Sequence, residues 1–163
     1  SDMVPESMRP AYGYDASMCS LNRIGTPAAD FSFKDIEGKV HTLYGVNADY
    51  TLLFFSNPGC PNCKEITEAI EADENILQME KSGRLAVVNI YIDLELDKWR
   101  AFAKDYPSEW LSGYDYNYLI RTDQTYSVRA IPSLYLLDKD KRVIMKDAPQ
   151  DKVFEKLSAL SGR

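Results

Sequence analysis

Two cysteines three residues apart, Cys60 and Cys63, are the residues of this sequence whose types and spacing could do chemistry. A Cys-x-x-Cys pair has two common uses: it is half of a tetrahedral zinc site, or it is a redox dithiol. In a redox dithiol, the thiolate form of one cysteine attacks a disulfide. The elements that surround the pair distinguish these two uses.

The pair lies between a predicted strand and the start of a predicted helix. Residues 51–56 are apolar at nearly every position, which is typical of a central strand buried on both faces. The helical pattern begins at Pro61 and continues to about residue 81. With Cys60 at the N-cap and Pro61 at the first helical position, the Cys60 sulfur faces free backbone N–H groups, which favour a thiolate.

The apolar stripe of the predicted helix assigns different roles to the two sulfurs. It consists of Cys63, Ile66, Ile70 and Leu77, widened by Ala69 and Ile76. Cys63 is therefore predicted to be the more buried sulfur. We predict that Cys60 attacks the disulfide and that Cys63 resolves the mixed disulfide.

Strands alternate with helices along the rest of the chain. The patterns predict strands at 31–33, 40–43, 85–93, 133–137 and 142–146, helices at 97–105 and 151–160, and a loop at 110–118. A turn at 138–141 predicts an antiparallel hairpin. The predicted fold class is α/β, with a central mixed β-sheet flanked by α-helices.

Length and charge limit the function classes. The 163 residues fit one domain, which we place at 24–163, with 1–23 as an N-terminal extension or linker. A net charge of −6 argues against a nucleic-acid or anionic-membrane surface. The apolar runs are far shorter than the roughly 18 residues of a membrane span, and the chain as given shows no signal-peptide pattern.

The sequence resembles the thioredoxin superfamily, nearest to the TlpA/ResA-type thiol-disulfide oxidoreductases and related to AhpC/TSA domains. The resemblance covers 24–31 (IGTPAADF), 52–63 (LLFFSNPGCPNC) and 126–138 (YSVRAIPSLYLLD). It implies a thioredoxin-like fold with the dithiol at a helix N-terminus. It also implies a cis Ile131–Pro132 bond beside the sulfurs, which exposes the Ile131 backbone to an incoming chain.

The resemblance further implies an activity and its residues. It implies exchange of the dithiol with disulfides of a protein substrate, in the reducing direction, outside the cytoplasm (in the periplasm), with an upstream thiol electron donor. It implies no cofactor and no metal. Cys60 and Cys63 are the catalytic residues, and the substrate-binding residues are Gly59, Pro61, Asn62, Ile131 and Pro132.

The sequence departs from the thioredoxin pattern at three places. Gly59 replaces the aromatic residue before the first cysteine, and Pro61-Asn62 replaces Gly-Pro between the cysteines. The apolar run 52–55 replaces a buried carboxylate. Glu65 lies on the wrong helical face to accept the Cys63 proton, so the acceptor is open, with water as one candidate.

Three alternatives remain. The first is a redox-inert thioredoxin-fold binding module, and the second is a peroxiredoxin-like peroxidase, although Asn57 stands where those enzymes carry Thr. The third is a zinc site made by Cys60 and Cys63 with Cys19 and His41. We expect His41 to be an ordinary surface residue and Cys19 to be a free thiol.

Overall fold

One mixed sheet of seven strands organises the computed structural model, which describes residues 22–118, 120, 126, 128 and 130–162. The strands are β1 (Ser32–Lys34), β2 (Val40–Thr42), β3 (Tyr50–Phe55), β4 (Leu85–Tyr91), β5 (Leu111–Tyr114), β6 (Ser133–Leu137) and β7 (Val143–Met145). Their order across the sheet is β2-β1-β5-β4-β3-β6-β7. The predicted α/β class with a mixed sheet is confirmed. The first 21 residues, including Cys19, lie outside the described residues.

β3 lies inside the sheet, parallel to β4 and antiparallel to β6. Because successive side chains of a strand point to opposite faces, its apolar run contributes to both sides of the sheet. Leu52 and Phe54 enter one core cluster, and Leu53 and Phe55 enter the other. The strand that leads to the cysteines is therefore anchored on both faces.

Four α-helices have their bounds within the described residues: α1 (Pro61–Ala72), α2 (Glu74–Lys81), α3 (Leu96–Ala103) and α4 (Gln150–Ser161). A 3₁₀ helix also spans Leu43–Gly45. α1, α2 and α4 bury apolar side chains in the same core cluster as Leu52 and Phe54. α3 buries Trp99 in a smaller cluster with Tyr91 of β4. Because Tyr91 and Val87 point to the same face of β4, these four α-helices lie on one face of the sheet, and the other face is covered by the second core cluster, which includes Phe31, Leu43 and Ile120.

The prediction of one continuous helix over 61–81 is wrong, because Asp73 separates α1 from α2. Asp73 has extended backbone angles, and its Oδ1 accepts a hydrogen bond of 2.9 Å from the Ile76 N–H. The interruption shifts the helical phase of every residue beyond it. Ile76 is consequently fully buried, whereas Leu77, which the continuous stripe had placed inside, is 39% exposed.

The prediction of a loop over 110–118 is also wrong, because Leu111–Tyr114 forms β5. β5 runs parallel to β4 and also pairs with β1 through Lys34 and Tyr114. Gly113 makes this pairing possible. A Cβ at that position would lie 2.6 Å from Cδ2 of Phe33 and 2.7 Å from the backbone oxygen of Lys34.

Gly113→Ala is expected to lower the free energy of unfolding by about 3 kcal/mol, since the added methyl group overpacks a position bounded by backbone. For a chain of this size, that loss corresponds to a Tm decrease of roughly 9 °C. Thermal and denaturant unfolding followed by circular dichroism measure both quantities.

Gly162→Ala is the matched control, because a Cβ at Gly162 would meet nothing within 4 Å. This variant should stay within about 0.5 kcal/mol of the unsubstituted protein. Equal stability of the two variants would contradict the close packing of β5 against β1.

The parallel pairing of β3 and β4 brings their carboxyl ends to one edge of the sheet. The chain leaves β3 there through Ser56, whose N–H donates to the Ile90 oxygen at 3.1 Å. The loop that carries Cys60 follows directly.

Within the described residues, none of the helices has the length and apolar character needed to cross a membrane.

Candidate active site

Cys60 is the N-cap residue of α1, and Pro61 occupies the first turn, as the sequence predicts. The Cys60 sulfur accepts a hydrogen bond from the Cys63 N–H at 3.1 Å. This sulfur therefore lies at the positive end of the α1 dipole, against an N–H group that has no partner within the helix. Both interactions favour negative charge on the Cys60 sulfur.

The loop before Cys60 is held in place by Asn57. Its backbone oxygen accepts from the Cys60 N–H at 3.1 Å, and its Oδ1 accepts from the Gly59 N–H at 3.0 Å. Its Nδ2 donates to Asp93 at 2.8 Å, beyond the end of β4. Asn57 thus connects the loop before Cys60 to the segment that follows β4.

Cys63 is the buried member of the pair. It is 4% exposed and packs in the core cluster with Ile66 and Ile70, whereas Cys60 is half-buried. Burial, together with the hydrogen bond with Cys60, raises the pKa of the Cys63 thiol to about 12. At neutral pH, Cys63 therefore remains a thiol.

Ile131 and Pro132 lie across the sheet edge from the cysteine loop. Their peptide bond is cis, and Ser133, the next residue, pairs with Phe55 at the end of β3. Pro132, which precedes Ser133, therefore lies at the same edge of the sheet as the residues that follow β3. Ile131, like Cys60, also packs against the core cluster that contains Cys63.

A buried polar group beside Cys63 is a feature that the sequence analysis missed. The Ser56 hydroxyl donates to Oδ1 of Asn89 in β4, and both residues are 2% exposed. Burial raises the pKa of the Tyr106 hydroxyl, whereas hydrogen bonds with Ser56 and Asn89 lower it and the nearby Cys63 raises it. Asn89, a lone amide within the apolar run LAVVNIYI, was the signal in the sequence.

The structure brings together the predicted site residues that it describes. Gly59, Pro61 and Asn62 are exposed around Cys60. His41 lies apart, because β2 and β3 are four strand spacings apart in the sheet order, or about 19 Å. The His41 Nε2 instead contacts Oδ2 of Asp35 at 2.8 Å.

The zinc alternative lacks a complete ligand set within the described part of the chain. There, no three His, Cys, Asp or Glu residues are grouped so that they could hold a metal ion. Cys19, which the alternative also requires, lies outside the described residues.

A mixed sheet, a Cys-x-x-Cys pair that begins a helix, and a cis-proline at the same edge define the thioredoxin-like class of proteins. The sequence profile of the thioredoxin-like family matches residues 47–143. This range is more than half of the chain. The chain belongs to the thioredoxin-like family and is TlpA-like.

Solved structures agree with this family. A thioredoxin-like protein from Bacteroides caccae is 40% identical, with a TM-score of 0.91 over 98% of this chain and 57% of that chain. The C-terminal domain of an uncharacterized protein from Bacteroides fragilis is 44% identical, with a TM-score of 0.81 over 84% of this chain and 98% of that chain.

A more distant structure is a domain of a possible thiol-disulfide isomerase from Cytophaga hutchinsonii. It is 25% identical, with a TM-score of 0.65 over 88% of this chain and 96% of that chain. No curated protein matches the sequence. This chain spans 57% of the length of the Bacteroides caccae protein chain.

Proposed function

We propose that this chain is a thiol-disulfide oxidoreductase that reduces disulfides of protein substrates through Cys60 and Cys63. The proposal rests on one observation, which is that the two sulfurs differ in exposure and in protonation. Cys60 is accessible at the N-terminus of α1, and Cys63 is buried as a thiol one turn away.

In the first step, the Cys60 thiolate attacks one sulfur of a substrate disulfide. The substrate S–S bond breaks, a bond between Cys60 and the substrate sulfur forms, and the other substrate sulfur leaves as a thiolate. The accessible sulfur performs this step, because an incoming disulfide can reach it.

In the second step, Cys63 attacks the Cys60 sulfur and releases the second substrate sulfur. The substrate disulfide has then gained two electrons, and Cys60 and Cys63 have become a disulfide. The polar groups of Ser56, Asn89 and Tyr106 are neutral and none is a base at neutral pH. We therefore assign the Cys63 proton to the departing substrate thiolate, directly or through water.

Substrate binding around the cysteines completes the proposal. Gly59, Pro61 and Asn62 form the exposed surface beside Cys60, and the Ile131 backbone before Pro132 pairs with an extended substrate segment. No cofactor is required, because the electrons are carried by the sulfur atoms. An upstream thiol donor returns the oxidised pair to the dithiol.

The proposed direction and location follow from the resemblance to TlpA/ResA-type proteins. We propose a reducing role outside the cytoplasm, in the periplasm. The similarity to the Cytophaga hutchinsonii domain, which belongs to a possible thiol-disulfide isomerase, supports thiol-disulfide chemistry for this chain as well.

Insulin reduction in the presence of dithiothreitol tests the activity. The chain should precipitate the insulin B chain several-fold faster than dithiothreitol alone, and a Cys60→Ser/Cys63→Ser variant should remain at the uncatalysed rate. Cys19→Ser is the control with the same chemical change and should retain activity. If the rate equals the uncatalysed one while both thiols react with a thiol reagent, the protein is a binding module.

A further inference from the structure

A groove beside the dithiol runs between α1 and the segment that follows α3. It has a volume of about 490 Å³, and Cys60 and Cys63 are among the residues that line it. Volumes of about 300–1,000 Å³ are typical of ligand sites. This groove is separate from the surface at Ile131 and Pro132, which do not line it.

An exposed aromatic side chain forms part of the groove. Phe102 of α3 is 49% exposed, and the half-buried Tyr106, which is near Cys63 and Cys60, also lines the groove. The accessible lining of the groove is mostly apolar, as in sites that bind an apolar group of a ligand. Pro61 adds apolar surface next to Cys60.

The rim of the groove is acidic. Glu68 and Glu71 lie three residues apart on α1 and therefore on one helical face, and both are exposed. Asp105 lies on the opposite wall, and Lys64 is the single cation among the residues that line the groove within the described chain. Three carboxylates and one ammonium give a formal charge of −2 (−3 + 1).

We propose that this groove binds the substrate segment next to the target cysteine and selects an apolar side chain followed by a basic one. The apolar side chain packs on Phe102 and Tyr106, and the Lys or Arg of the substrate faces Glu68 and Glu71. The inference rests on the proposed function, since it assigns that reaction a substrate class. We infer a basic substrate residue because its positive charge complements the carboxylates at the rim of the groove.

Symmetric disulfide dimers of short peptides test this selection in either chain direction. Each peptide has one cysteine and the same two residues on either side of it. In the Leu–Lys dimer, Leu is next to the cysteine and Lys is beyond it; the Leu–Glu and Ser–Lys dimers are arranged in the same way. We expect the Leu–Lys dimer to have the highest kcat/KM. Because exposed ion pairs and partial apolar burial each contribute modestly, the Leu–Glu and Ser–Lys dimers should each be about five- to tenfold lower.

Charge-reversal variants identify the rim residues. Glu68→Lys/Glu71→Lys should prefer the Leu–Glu dimer over the Leu–Lys dimer. Glu65→Lys/Glu155→Lys makes the same change in net charge at exposed sites outside the groove and should keep the original preference. Phe102→Ser should lower kcat/KM for the Leu–Lys dimer about fivefold and leave the Ser–Lys dimer nearly unchanged.

The uncharged substrate hydroxyethyl disulfide separates the two hypotheses, since it has neither the apolar side chain nor the basic group that the groove is proposed to select. If it is reduced while the three peptide dimers react equally, the groove inference is overturned and the proposed function stands. A preference that survives the Glu68 and Glu71 reversal, or that changes equally in the control variant, also overturns it. If neither hydroxyethyl disulfide nor any peptide is reduced, both proposals are wrong.

Discussion

A Cys63→Ser variant is expected to accumulate a covalent complex in which Cys60 is joined to a substrate sulfur. The variant retains the accessible nucleophile at the start of α1 and lacks the sulfur that would release the substrate. Turnover should fall to the uncatalysed rate after one equivalent of substrate has bound. Non-reducing electrophoresis and mass spectrometry of the complex identify the linked cysteine.

Cys60→Ser is the comparison that tests the role of each sulfur. Cys63 is 4% exposed, and burial is the largest of the causes that raise its pKa. Because burial does not depend on Cys60, Cys63 should remain predominantly a thiol at pH 7 in this variant. This variant should therefore trap almost no substrate. Equal trapping by both variants would contradict the assignment of Cys60 as the attacking sulfur.

Alkylation of Cys63 in the Cys60→Ser variant should be slow in the folded protein and fast after unfolding. Burial is the largest of the causes that raise the pKa of Cys63, and it remains in this variant, although the contribution of Cys60 is lost. The thiolate fraction of Cys63 at neutral pH should therefore be lower in the folded than in the unfolded protein. Raising the pH favours the thiolate, so the folded rate should increase about tenfold per pH unit below the pKa of Cys63, as long as the fold persists.

Iodoacetamide labelling followed by mass spectrometry measures this rate, with circular dichroism at each pH to verify the fold. The same variant in denaturant is the internal control, because unfolding exposes Cys63 to solvent. A folded rate within tenfold of the unfolded rate at pH 7 would show that Cys63 is not shielded in the way the structure describes.

The residues next to the dithiol could be placed from the sequence because each depends on local physical chemistry. Cys60 at the N-cap and Pro61 in the first turn follow from the requirements of a helix start. The burial of Cys63 follows from its position on the apolar stripe. A helix start and the first turns after it are governed by nearest neighbours in the chain, which a sequence displays directly.

The features that the sequence analysis placed wrongly depend on contacts between distant segments or on one side chain. Asp73 interrupts the predicted helix because its side chain caps α2, although the apolar pattern continues past it. The sequence of β5 does not alternate between apolar and polar residues. This strand forms because its backbone pairs with β4 on one side and with β1 on the other. Pairing partners of this kind are not visible in a local window.

The polar group beside Cys63 illustrates the same limit at the site. Ser56, Asn89 and Tyr106 come from three separate segments, and only the parallel pairing of β3 and β4 brings Ser56 to Asn89. Burial without partners would be costly for these groups, so they satisfy one another. The run 52–55, which lacks the carboxylate, is buried and apolar, and the polar groups near Cys63 come from these three other residues.

A redox titration of the Cys60/Cys63 couple in thiol-disulfide buffers tests the existence of a functional dithiol most directly. We predict one reversible transition in which two thiols per chain disappear together, with a two-electron slope of about 30 mV per decade. For a reducing role, we predict a midpoint more negative than the roughly −180 mV of protein disulfide isomerase. Thiols that stay reduced across the whole range, or that oxidise only by linking two chains, would contradict the assignment.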